Sequence, residues 1–202
     1  MKKRTAFIGA ILSLIPFGQS LFFKTAIVLS GSAFIIALPE KVFANTCEKY
    51  FSEAYIKSNS DDHKGAIVFY SKAINSGCDN TNLSTAYYNR GFSKNELRNF
   101  SEAISDFNEA IEINPQYSQA YLNRGYSKHH LGDYYGAISD FNKAIEINPY
   151  NGLTYSNRGI SKGIGFKDDE GACDDFKKAA LLGDEYRIIW LESFEGKWFK
   201  DM

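Results

Sequence analysis

Three columns of polar residues recur in register along this chain and could do chemistry. Asn89, Asn123 and Asn157 each precede an arginine: Arg90, Arg124 and Arg158. Asp106, Asp140 and Asp175 each precede a phenylalanine further on. An arginine and a carboxylate at matched positions can form a bidentate ion pair. An asparagine amide carries donor and acceptor together, so it can pair with a main chain of any sequence. Both are chemistries of holding rather than of turnover. A catalytic site needs its residues once; these come at a fixed period.

Turnover chemistry has little to draw on here. Catalysis needs a nucleophile, a base and an orienting group brought together. The histidines are His63, His129 and His130. The last two are adjacent, so on a helix they point about 100° apart and make a poor metal pair. No G-x-x-x-x-G-K phosphate loop is present. Asp168, Asp169 and Glu170 sit at a turn and read as a helix N-terminus rather than a metal site. The sequence therefore implies a protein that is not an enzyme and needs no cofactor or metal.

The elements that must position these columns follow from the spacing. "YYNRGFSK" starts at Tyr87, "YLNRGYSK" at Tyr121 and "YSNRGISK" at Tyr155, 34 residues apart each time. Such self-similarity marks an array of stacked supersecondary units. "SEAISDFNEAIEI" puts Ala103, Ile104, Phe107, Ala110, Ile111 and Ile113 largely on one helical stripe. "YGAISDFNKAIEI" repeats the stripe, and Asn-Pro ends both helices, because proline disfavours helix at the residue before it. Gly91, Gly125 and Gly159 lie inside the first helix of each unit, where Gly costs about 1 kcal/mol relative to Ala. The expected return is close approach of the second helix, against the small Ala103, Ala137 and Ala172. A degenerate earlier unit shows Tyr50, Ala54, Lys57, Ala66, Tyr70 and Ala73, with Glu53 and Phe69 in the Arg and Asp columns.

Arg and Asp thus appear together or not at all. They read as ion pairs within each unit: Arg90 with Asp106, Arg124 with Asp140, Arg158 with Asp175. A partly buried pair of this kind fixes register more than it adds stability. The rival reading is a row of arginines lining a groove for an acidic ligand. Lys94, Lys128 and Lys162, with Lys57, are expected to lay their stems over apolar surface and keep their ammonium groups in water.

The repeat resembles the tetratricopeptide repeat (TPR), a 34-residue helix–turn–helix with an aromatic, a Gly, an Ala, a Phe and a Pro at set positions. The columns Tyr87/Tyr121, Gly91/Gly125, Ala103/Ala137, Phe107/Phe141 and Pro115/Pro149 carry the likeness. It departs where Leu would precede Gly, here the arginines, and where Tyr would follow it, here the lysines. The resemblance implies an all-α, right-handed superhelical solenoid of about four helix–turn–helix repeats and a C-terminal capping helix. The repeats would span about 47–83, 84–117, 118–151 and 152–186, with the cap at 187–202 in a domain running from 45 to 202. Ile188, Trp190, Leu191, Phe194 and Trp198 would cover the last unit.

The resemblance also implies a working surface. In such solenoids the Asn89, Asn123 and Asn157 column faces the concave side, and it is similar to the asparagine ladder of the O-linked N-acetylglucosamine transferase repeats, which grips a peptide backbone. Tyr88, Phe92, Leu122, Tyr126, His129 and Ile160 would floor that groove. A carboxylate clamp for acidic chain ends wants Lys and Arg where this chain has Gln119, Leu153 and Asn157. The implied function is a scaffold for protein–protein interaction, an assembly factor among the options, with an unknown protein or peptide as partner. The alternative is an oligomerisation module using the convex face or the aromatic C-terminal helix.

Residues 1–44 read as a separate leader. They are basic at the tip, carry two apolar runs split by Lys24 and end on Val42, Phe43 and Ala44. This fits an export signal cleaved after Ala44, or an uncleaved membrane anchor as the alternative. Cleavage would deliver the body to the periplasm, a thylakoid lumen or the exterior; otherwise the leader is the only membrane contact. The leader and the "NRG" style resemble small exported bacterial, cyanobacterial-type members. Without the leader the body holds 18 basic and 23 acidic residues. That mildly acidic balance argues against nucleic acid as partner. Cys47, opening the first helix of unit one, and Cys78, just past its second, would meet in an antiparallel hairpin. They would form a disulfide if exported, or remain two free thiols. Cys173 is left over, expected to be buried.

Overall fold

The computed structural model describes the backbone of residues 40–194 and the side chains of residues 46–189. The leader reading falls outside these residues, apart from the start of the first helix. Apart from the first three residues of the first helix, the described residues belong to one compact unit, Phe43–Met202. Among the described residues it is wholly helical. The order is α1 (Glu40–Asn59), α2 (His63–Asn75), α3 (Asn80–Glu96), α4 (Phe100–Ile113), α5 (Ser118–His130), α6 (Tyr134–Ile147), α7 (Gly152–Phe166), α8 (Asp169–Leu181) and α9 (Glu185–Phe194). None of the described helices is long and apolar enough to cross a membrane.

Local chemistry sets these boundaries. Asp62, Asp133 and Asp168 each accept a hydrogen bond from the backbone N–H three residues on, at Gly65, Gly136 and Gly171, at 2.9, 2.9 and 3.0 Å. Each thereby caps the first turn of a second helix. The acidic run at 168–170 is therefore a helix start, and among the described residues no cluster could hold a metal ion. The turns between the helices of a pair place Asp61, Arg98, Gly132 and Lys167 at positive φ. Only one of these four positions uses the residue that adopts that conformation freely. α1 begins at Glu40, upstream of the expected start near Cys47, because Pro39 precedes it and no Gly or Pro interrupts the run to Cys47.

Packing follows the 34-residue pattern. Helices associate in pairs, and each second helix also packs on the first helix of the next pair. Ala66, Tyr70 and Ala73 on α2, Ala103, Phe107 and Ala110 on α4, and Ala137, Phe141 and Ala144 on α6 are buried. The first-helix glycines admit the close approach of the second helix, with the backbone of Ala137 against Gly125 and of Ala172 against Gly159, and the phenylalanine ring is nearer still. A Cβ on Gly125 would lie 2.8 Å from Cε1 of Phe141, and one on Gly91 would lie 2.9 Å from Cε1 of Phe107. The ring of the second helix lies directly against the bare backbone, and no side chain fits between. Stacking buries apolar faces that no pair could bury alone, as in the cluster of Ala54, Ala66, Tyr70 and Ala86, which spans α1 to α3.

At the C-terminal end α9 packs on α8. Arg187 makes the defined contact: its guanidinium lies 4.1 Å from the Phe176 ring centroid, and its Nε donates to Ser156 Oγ at 2.7 Å. Ile188 is more than one third exposed and Ile189 more than half. The expected cap through Trp190, Leu191, Phe194 and Trp198 concerns side chains outside the described residues.

Candidate peptide-binding face and the ion-pair lattice

The arginine column is bound into the fold. Arg124 donates from Nε and Nη2 to the two oxygens of Asp140 at 2.9 and 2.6 Å. Arg90 holds Asp106 in the same way at 2.9 and 2.7 Å, and Arg158 holds Asp175 at 2.9 and 2.5 Å. All three aspartates are buried. The remaining Nη1 reaches back to the preceding unit, donating to Ser71, Asn108 and Asn142 from Arg90, Arg124 and Arg158 at 3.0, 2.7 and 2.7 Å. Each guanidinium also sits over the tyrosine three residues earlier, Tyr87, Tyr121 or Tyr155. One side chain therefore ties its own helix, the facing helix and the previous unit.

The lysines depart from the expectation of solvated ammonium groups. Lys94, Lys128 and Lys162 place Nζ 2.8, 2.8 and 2.9 Å from Asp106, Asp140 and Asp175. The cause is charge balance: a carboxylate taken from water has lone pairs left over after one arginine, and a second cation satisfies them. The three-membered clusters use both cationic columns, so neither is free to grip an acidic ligand. In the first pair, Lys57 meets Asp62 at 3.0 Å on the surface.

A further column carries structure that the sequence reading passed over. Ser93, Ser127 and Ser161 are fully buried. They lie between the Gly and Lys of each "YxNRGxSK" octet, and that invariant slot was the available signal. Ser127 donates to Asn95 Oδ1 at 2.7 Å, and Ser161 Oγ lies 2.8 Å from His129 Nδ1. Both bonds join the first helices of successive units along one wall.

The proposed groove residues separate into two groups. Tyr126, His129 and Asn157 meet, with His130, Phe141 and Ile160, around a cavity of about 220 Å³. Asn157 and Ile160 also line a second cavity of about 400 Å³, with Leu153, Ser156, Tyr186 and Arg187. The other residues are not gathered there. Tyr88 packs at a tilt against Tyr117, ring centroids 4.8 Å apart, and its hydroxyl accepts from Asn123 Nδ2 at 3.1 Å. Burial raises the Tyr88 hydroxyl above its ordinary range. Asn123 also donates to the Gln119 carbonyl at 3.0 Å, so its amide hydrogens are committed inside the chain. Among the described residues the side-chain amides of Asn89 and Asn157 carry no hydrogen bond of this kind. Phe92 is half-buried, outside both cavities, and Leu122 is buried.

Cys47 and Cys78 are joined by a disulfide with Cα atoms 5.4 Å apart. Cys173 is a free thiol and only half-buried, not enclosed as expected: on α8 it lies between the buried Ala172 and the exposed Asp174, at the margin of the packed face.

Comparison with known proteins places this geometry. The tetratricopeptide repeat model matches residues 84–117 and 118–151. No curated protein sequence matches. Among solved structures the chain is similar to MamA, at 25% identity and a TM-score of 0.63, covering 72% of this chain and 83% of that one. It is similar to YrrB, described as a TPR protein with an unusual peptide-binding site, at 19% identity and a TM-score of 0.62, covering 76% and 78%. It is also similar to the first TPR of Spaghetti (RPAP3), bound there to the HSP90 peptide SRMEEVD, at 21% identity and a TM-score of 0.56, covering 60% and 96%. The chain carries two tetratricopeptide repeats at residues 84–151, and its described helices have the fold of a tetratricopeptide solenoid.

Proposed function

We propose that this chain is a scaffold that holds a peptide or protein segment along the face lined by α5, α7 and the start of α9, as an assembly factor would. The observation that carries this reading is the pair of cavities joined through Asn157 and Ile160. The unengaged amide of Asn157 stands at their junction, where it could pair with a main chain passing from one to the other. Peptides occupy solenoids of this fold in the RPAP3 complex, and YrrB is described as having a peptide-binding site. The acidic RPAP3 ligand is a poor guide to sequence preference, because the lysine and arginine columns here are consumed by buried aspartates. The reading includes export by the leader, which would put Cys47 and Cys78 where a disulfide persists.

Substitution tests it directly. Asn157→Ala in the full chain is expected to leave the helical circular dichroism unchanged and to weaken a bound peptide about tenfold, the worth of a lost main-chain pairing. Tyr135→Ala, on an exposed residue that lines neither cavity, should change nothing. Equal binding by both variants would reject the face.

A further inference from the structure

The smaller cavity has a composition that selects its occupant. Its wall is Tyr126, Phe141 and Ile160, and its polar groups are Asn157 and the two imidazoles of His129 and His130. At about 220 Å³ it is smaller than the usual small-molecule pocket and of a size for one side chain. The imidazoles are held in place. His130 stacks on Phe100 with centroids 4.7 Å apart and meets the Tyr126 ring edge-on at 4.4 Å. His129 is fixed by Ser161 at 2.8 Å and by the Tyr134 ring at 5.3 Å.

The charges around this pair are all cationic or already neutralised. Arg98, at the α3–α4 turn, acts on His130, and His130 acts on His129. Lys128 on α5 is spent on Asp140 of α6, and Lys162 on α7 is spent on Asp175 of α8. α4 contributes the Phe100 ring, α6 the Tyr134 ring, and α7 the neutral Asn157 and Ser161. Burial, first, and then these neighbouring cations push both imidazoles below their ordinary range. At neutral pH the cavity is therefore an apolar and aromatic hole bearing no net charge. In acid, protonation of the imidazoles makes it cationic, and no carboxylate stands among its lining residues.

Resting on the proposed concave docking face, we propose that this cavity receives a single uncharged apolar or aromatic side chain of the bound segment, and releases it when His129 and His130 are protonated. The main chain beside that anchor would pair with the Asn157 amide before entering the larger cavity. Acidic side chains are poor occupants at neutral pH, since burying a carboxylate without a cation is costly. They become the better occupants once the imidazoles are charged.

A random peptide library panned against the full chain at about pH 7.5, followed by affinity measurement at about pH 7.5 and pH 5, tests the assignment. Enriched peptides should share a Phe, Leu, Met or Tyr and lack acidic neighbours at that position. Their affinity should fall about tenfold at the lower pH, while circular dichroism holds. The doubly substituted chain His129→Asn, His130→Phe should bind equally at both. Asn95 already makes the corresponding bond to Ser127 one unit earlier, so the first change preserves the link to Ser161. Peptides sensitive to Ile160→Asp but acidic in consensus, or indifferent to pH, would overturn the anchor assignment and leave the docking face standing. Peptides insensitive to Ile160→Asp, or no enriched peptide at all, would overturn both.

Discussion

The first helix pair and the third solve the same packing problem with different chemistry. In α5–α6 the facing helices are joined by Arg124, Asp140 and Lys128, and the arginine extends to Asn108 of the pair before. In α1–α2 the two equivalent positions hold Glu53 and Phe69, and Lys72 lies 4.7 Å from the Phe69 ring centroid. That pair keeps its apolar contact, Phe51 against Tyr70 at 5.6 Å, and adds the Cys47–Cys78 bridge. An ion cluster acts on the folded state and couples neighbours. A disulfide acts chiefly on the unfolded chain and only within its own loop. The N-terminal pair is therefore tethered, and joined to its one neighbour through Arg90 and Ser71, while the α5–α6 pair is woven into the units on both sides.

The largest expected effect comes from breaking the woven side. Asp140→Ala strands two cations that are mostly shielded from water, and should cost about 3 kcal/mol or more in urea denaturation. Replacing the whole cluster with Met and Leu should return most of that loss, because a buried ion cluster and a well-packed apolar one are close in worth. A loss under about 1 kcal/mol for the single change would mean that the cluster is solvated and the contrast false.

Next in size is the tether. The bridge closes a separation of 31 residues. Cys47→Ser with Cys78→Ser should cost about 2–4 kcal/mol. Amide exchange should quicken in α1 and α2 and stay unchanged from α5 to α8. Exchange that quickens uniformly along the chain would show that the first pair is as tightly coupled as the rest. The smallest effect tests the weave itself. Asn108→Ala removes one charged hydrogen bond near solvent, and should cost about 0.5–1 kcal/mol in a denaturant titration. The same substitution at Asn142 should match it, since the two sites are equivalent by repeat.

Much of this was legible in the sequence. The 34-residue period and the pairing of each Arg with an Asp follow from columns that vary together, and Arg90 to Asp106 is such a case. What the columns hid was the number of partners. Lys94 looked like a solvated surface residue because nothing in a linear sequence shows that one carboxylate takes two cations. The reach of Arg124 to Asn108 crosses a unit boundary and so escaped a reading made unit by unit. The groove was harder still. Asn89, Asn123 and Asn157 are identical in type, yet Asn123 is committed to Tyr88 while Asn157 is not. The difference comes from neighbours that do not repeat. Unit-to-unit variation, in His129 and His130 above all, made the cavity, and a period search discards variation by construction.

Each arginine reaches toward the N-terminus and none of these bonds reaches forward, which gives the assembly a direction. Within this network, removing whole units from the far end would leave each remaining octet guanidinium partnered and free an amide or hydroxyl that water can serve. Shortening it from the near end would orphan a cationic hydrogen at the new boundary. Loss of a unit at the tail therefore disturbs this network of bonds less than loss of one at the head.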